Sequence, residues 1–181
     1  MTEVSMNKDM KPSKLDGLRL SPHFTLGELT KTSYKTEDGN IPSRVAIENL
    51  KNLCENWLED LRYSYNTLYP MGCPQDTVAE PAEAQEPSEG IIINSGYRSP
   101  EVNKRAGGSA TSNHLTGCAV DIRVGGFEQA IRYASILLDI SDGTKQDFDE
   151  LYIERNGAGR YWIHFAVRPK DNRRKTRFIQ T

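Results

Sequence analysis

The chain has 181 residues, a length that suits one domain and leaves little room for two. Lys and Arg number 23 against 25 Asp and Glu, so the net charge of −2 sets up no broad basic field for nucleic acid. With 36% hydrophobic residues the chain can still bury a core. No stretch approaches about 18 consecutive apolar residues, so no transmembrane segment is expected.

Residues 1–20 are polar, charged and aperiodic, and are expected to form a loose lead-in. They hold no apolar core of a secretory signal, which points to a protein that is cytoplasmic as synthesised. Release to the cell wall by lysis, or carriage by a phage particle, stays open. The three cysteines, Cys54, Cys73 and Cys118, are odd in number and widely spaced, which argues against a disulfide framework or a cysteine-type zinc knuckle.

The single domain is expected over residues 21–168. Thr25 and Glu28 have capping-box spacing for a short helical turn. A long helix is expected after Pro42 or Ser43. Val45, Ile47, Leu50, Leu53, Cys54, Trp57, Leu58 and Leu61 recur near helical periodicity. Residues 70–90 carry four prolines and many acids, and read as an acidic surface loop inserted in the domain. Ile91–Asn94 is expected as a short buried strand, and residues 100–106 as a short helix.

Cys118–Val124 reads as a strand with Cys118, Val120, Ile122 and Val124 on one face and Ala119, Asp121 and Arg123 on the other. Residues 127–139 look helical. A hairpin follows, Leu151–Arg155 against Arg160–Arg168. A three-residue loop at Gly157–Gly159 would pair Glu154 with Trp162 and Tyr152 with His164. Those four side chains would then share the face opposite Leu151, Ile153, Ile163, Phe165 and Val167. Residues 169–181 form a basic tail, short and without interleaved aromatics, expected to be solvated rather than bound to nucleic acid. The fold class expected is α+β: a small, mainly antiparallel sheet with helices packed on one side.

The chemistry-bearing residues are few. The only histidines are His23, His114 and His164. Asp121 interrupts a run that otherwise reads as a buried strand, where an ionised carboxylate is costly unless paired or bound to metal. His164 poses the same question in its own strand. Imidazole and carboxylate are good zinc ligands, and three protein ligands leave a fourth position for water. A hydrogen-bonded core histidine and a salt-bridged aspartate remain the alternative for these residues. His23, in an amino-terminal loop, is a weak candidate ligand.

Ser112, His114, Gly117, Ala119 and Asp121 carry the form S-x-H-x-x-G-x-A-x-D. Ser95–Pro100 with Asn103 gives S-G-Y-R-S-P-x-x-N ahead of it, and Trp162-Ile163-His164 gives W-x-H after it. In these three motifs, in this order, the chain resembles the zinc D-Ala-D-Ala carboxypeptidase family (peptidase family M15), which also includes peptidoglycan endopeptidases. Phe24–Leu29 resembles the entry of a branch common in phage and prophage proteins. Phe148–Glu154 is similar to the aromatic-rich strand of the hedgehog zinc core.

The resemblance implies that His114, Asp121 and His164 bind Zn2+. It also implies hydrolysis of a peptide bond in peptidoglycan peptides, by metal-activated water. Many relatives place the catalytic carboxylate three residues before the last histidine, where this chain has Tyr161. Glu154 is the expected replacement, with Asp149 and Glu150 behind it. Arg98, the family-matched arginine, is expected to hold a substrate carboxylate or stabilise the carbonyl oxygen; a structural ion pair is its other reading. Ser112 would bind substrate or support the His114 turn, and Trp162 would shape the cleft. A zinc-containing binding module without catalysis, or a structural phage-type protein, remains open as the alternative. Oligomeric state is not legible.

Overall fold

A computed structural model describes residues 16–70 and 90–180 of the chain. The expected acidic loop, apart from Pro70 and Gly90 at its ends, lies outside the described residues.

The helices begin where local chemistry starts them. Helix α1, Leu26–Thr30, has the full capping box. The Thr25 side chain accepts from the Glu28 N–H, and Glu28 Oε2 accepts from the Thr25 N–H at 2.8 Å. Ser43 caps α2, Arg44–Leu53, accepting from the Ala46 N–H at 3.2 Å. The helix then widens through a π-helical turn, Cys54–Leu58, and resumes as α3, Glu59–Leu68. The wide turn keeps Cys54, Trp57 and Leu58 all fully buried. Val45, in contrast, is exposed and does not join the core. Helix α4, Pro100–Arg105, has Ser99 as cap and proline in its first turn. Helix α5 runs Phe127–Thr144, a turn longer than its apolar periodicity suggests, and ends at Lys145 in the left-handed region.

Among the described residues the strands form one sheet in the order β1-β2-β4-β3-β5. They are β1, Ile93–Ser95; β2, Ala119–Arg123; β3, Glu150–Arg155; β4, Tyr161–Ala166; and β5, Lys175–Gln180. All neighbours are antiparallel except β3 and β5, which are parallel. The strand expected as buried at 91–94 is instead β1 at 93–95, an edge strand that is only partly buried, with Ile92 before it exposed. The β3–β4 hairpin has the expected register, Glu154 opposite Trp162 and Tyr152 opposite His164. Its loop is closed by the Asn156 N–H donating to the Arg160 carbonyl at 3.0 Å, and Gly159 takes φ +77°.

Leu151, Ile163, Phe165, Val120 and Ile122 face the helices and are fully buried. Trp57 lies at the centre of this layer, 5.0 Å from the Phe165 ring and 6.5 Å from that of Phe148. Each such buried side chain contributes about 1.5–3 kcal/mol relative to exposure. Trp162, His164, Tyr152, Glu154 and Asp121 take the opposite face.

Two terminal expectations change. Of the amino-terminal lead-in, residues 16–20 are described, and they are held in place. Leu20 is buried, and the Leu26 and Gly27 N–H groups donate to the Leu18 and Asp16 carbonyls. The basic tail is not free either, although most of its residues stay exposed. Residues 167–174 cross the start of β3, and residues 175–180 form β5 beside it. The cause is charge neutralisation over long sequence distance. Arg168 and Arg173 converge on Asp149, and Arg174 pairs with Asp142 and Asp147.

Candidate metal centre

Three segments deliver the site. The first is a short 3-10 turn, Asn113–Thr116, which Ser112 caps by accepting from the His114 N–H at 3.3 Å. It ends at Gly117, whose φ of +71° only glycine adopts freely. A Cβ there would sit 2.4 Å from the Ala46 carbonyl oxygen, so the glycine also lets the turn lie against α2. Gly96 plays the matching part in the preceding motif: a Cβ on it would meet the Leu29 carbonyl oxygen at 2.3 Å. The other two segments are the paired strands β2 and β4, in which Asp121 lies opposite His164.

The three side chains converge. His114 Nε2 lies 3.3 Å and His164 Nδ1 3.0 Å from Asp121 Oδ1. One donor atom from each residue falls within 4.8 Å of the others, and all three residues are buried. His114 Nδ1 lies 2.6 Å from the Gly96 carbonyl oxygen. A carbonyl only accepts, so Nδ1 carries the proton and Nε2 keeps its lone pair toward the centre. His164 Nε2 lies 3.4 Å from Glu150 Oε2, which likewise can only accept and leaves Nδ1 facing Asp121. Two imidazole nitrogens and a carboxylate oxygen aimed at one point suit a divalent ion such as zinc.

The electrostatics are those of a site built to hold positive charge. Burial works against ionising Asp121, yet the two histidines hold its carboxyl far below the ordinary range. Burial also disfavours protonated His164, but Asp121 and Glu150 raise it to about 9. A bound cation would take the place of that proton. The hydrogen bond from His164 pulls Glu150 down to about 2. Tyr152 stacks on the His164 ring at 5.5 Å, and burial, helped by Glu150, pushes its phenol up to about 12.

The other expected site residues fall as follows. Arg98 donates from its terminal nitrogen to Asp121 Oδ2 and from Nε to Ser95 Oγ at 2.8 Å, so its fork is engaged by the Asp121 carboxylate and the Ser95 hydroxyl. Glu154 lies on the His164 face, where burial raises its pKa and the charges of His164, Asp121 and Arg98 reach it. Trp162, with Arg98 and Asp121, lines a cleft of about 300 Å³. Ser112 acts on the His114 turn. Tyr161 stands on the other side of β4, in tilted contact with Phe127 at 5.2 Å, so no side chain at 161 reaches the centre from this strand. His23 binds Glu59 Oε2 at 2.7 Å and has no place in the cluster.

Sequence reasoning missed the brace behind the site. Asn113, next to His114, donates to Asp149 Oδ2 at 2.8 Å and to Glu150 Oε2 at 2.9 Å. Arg173 donates to Asp149 at 2.7 and 2.6 Å and to Glu150 Oε1 at 2.6 Å. Asn40 is buried and fastens the Arg98 loop, donating to the Thr30 and Tyr97 carbonyls and accepting from the Ser99 N–H. Only the adjacency of Asn113 to a candidate ligand gave any local signal.

A mixed, mostly antiparallel sheet that sets Asp121 and His164 on one face, with His114 brought to them by the turn before β2, defines an α+β protein that can hold a metal ion. The family model described as Peptidase M15 matches residues 83–149, and this match supports the peptidase M15 family. It spans His114 and Asp121 and stops ahead of His164. Metallopeptidase activity, in general terms, is what that family suggests. No curated protein matches the chain. Among the described residues no helix is long and apolar enough to cross a membrane.

Proposed function

We propose that this protein is a zinc-dependent peptidase that hydrolyses a peptide bond in peptidoglycan stem peptides, as a D-Ala-D-Ala carboxypeptidase or an endopeptidase. The observation that carries the reading is the convergence of His114 Nε2, Asp121 Oδ1 and His164 Nδ1 beside a cleft, with Glu154 on the same face. His114, Asp121 and His164 would hold the zinc. When bound, zinc supplies an acidified water and a Lewis acid for the scissile carbonyl.

Glu154 takes the proton of the attacking water and returns it to the leaving amine. Its carboxylate is suited to this because burial raises its pKa toward the working range of a general base. Arg98 fixes the rotamer of Asp121 and borders the substrate. Trp162 forms one wall of the cleft. The Gly96 carbonyl and Glu150 set the tautomers of the two histidines. The substrate lies in the cell wall, reached on release from the cell or from a phage particle.

The test is Glu154→Gln. It should keep stoichiometric zinc and slow muropeptide hydrolysis about 100-fold or more, read by mass spectrometry of the digest. Near-normal rates would move the base elsewhere. Zinc bound without turnover in the unaltered protein would favour a binding module instead.

A further inference from the structure

The cleft beside the metal centre is not lined by the motif residues alone. Its far wall is the segment after α1, including Lys31 and Tyr34. A second cavity of about 290 Å³, bordered by His23, Phe24 and Ile93, also has Lys31 in its lining. Lys31 thus borders both the cleft, a trough beside Asp121 and Trp162, and this second compartment.

The charged groups lining the trough and the second compartment are mostly engaged. Arg98 is held by Asp121, His23 by Glu59, and the Glu28 carboxylate by the Thr25 backbone and hydroxyl. Arg62, in the second compartment, is also engaged. Lys31 makes no ion pair with any described residue, and it is exposed. Its flexible ammonium is a point charge suited to a carboxylate arriving from solution. Tyr34, 40% exposed, and Trp162 offer apolar surface on either side.

We propose that Lys31 is a specificity-determining residue: it grips a free carboxylate on the peptide segment lying in the trough, so that the protein selects anionic peptides. The proposal rests on the peptidase reading for its substrate class. It assigns the recognition of substrate charge to Lys31 because Arg98 is already spent on Asp121.

The test uses zinc-loaded Glu154→Gln protein, which binds without cleaving. The probes are the pentapeptide L-alanyl-γ-D-glutamyl-L-lysyl-D-alanyl-D-alanine and two versions of it. One has the glutamyl α-carboxylate, the other the terminal carboxylate, converted to carboxamide. Binding is followed by the fluorescence of Trp162, whose companion Trp57 is fully buried. One carboxamide should bind about tenfold more weakly than the parent, the size expected of a charge-assisted contact. Adding Lys31→Gln should abolish that difference, and adding Lys31→Arg should largely restore it.

The proposal is overturned if the parent does not bind or if both carboxamides bind as well as it does. It is overturned equally if the penalty survives Lys31→Gln. Hydrolysis of the parent and of a muropeptide mixture by the unaltered protein is measured alongside. Turnover without a Lys31-dependent penalty removes this inference and leaves the peptidase reading standing. A Lys31-dependent penalty without turnover does the reverse.

Discussion

Asp149 is the hub where the carboxy-terminal segment crosses β3. Its carboxylate is fully buried and takes hydrogen bonds from Arg173 and Asn113, with Arg168 Nε 3.1 Å away. Burial alone would raise its pKa, but these partners bring it from the ordinary 3.8 to about 2. Each pH unit of such a difference corresponds to about 1.4 kcal/mol, so the ionised form adds about 2 kcal/mol to folding. The folded value lies below the unfolded one. The contribution is therefore complete above the ordinary carboxylate range and fades as the pH falls through about 2. Asp149→Asn should cost about 2 kcal/mol at pH 6 and only about 1 kcal/mol at pH 2.5. Urea unfolding followed by circular dichroism, with chelator present to remove any metal contribution, measures both. An equal cost at the two pH values would show that shape rather than charge is lost, and the bracing argument would fail.

His164→Ala should abolish stoichiometric zinc binding, and full occupancy in that variant by metal analysis would refute the ligand set. Gly117→Ala should destabilise the fold by about 2–4 kcal/mol, since the new Cβ meets the Ala46 carbonyl and the left-handed backbone resists it. A loss under about 0.5 kcal/mol in urea unfolding would mean that α2 simply yields. Tyr161→Glu supplies the carboxylate that many relatives carry at this spacing, yet it should not rescue Glu154→Gln, because residue 161 faces Phe127. Recovery of hydrolysis in the double variant would show that the faces of β4 are misassigned.

Much of the fold was written in local pattern. The Thr25 capping box, the Ser43 cap and the β3–β4 register follow from side chains a few residues apart. The candidate ligands were legible because a carboxylate and an imidazole interrupted apolar strands. What escaped depends on distant partners. Nothing near Arg168, Arg173 or Arg174 announces Asp149, Asp142 or Asp147, so a run of cations read as a free tail. With those charges matched, Phe178 and Ile179 can sit in an edge strand, and Phe178 packs on Phe127. The π-helical turn escaped for a different reason: apolar periodicity is too coarse to show one extra residue per turn. Val45 fits the same pattern, yet at the start of α2 it is exposed.

The hairpin turn from Asn156 to Arg160 contributes no side chain to the metal centre, but its length governs what chemistry β4 can present. Along that strand Tyr161, Ile163 and Phe165 belong to the packed interior, and Trp162 and His164 to the side of the candidate metal centre. Inserting or removing a single residue before Arg160 would exchange the two sets, turning His164 inward and an aromatic outward. Spacing here is thus constrained as tightly as the identity of a catalytic group, while substitutions in the turn that preserve its count and its glycine conformation are left comparatively free.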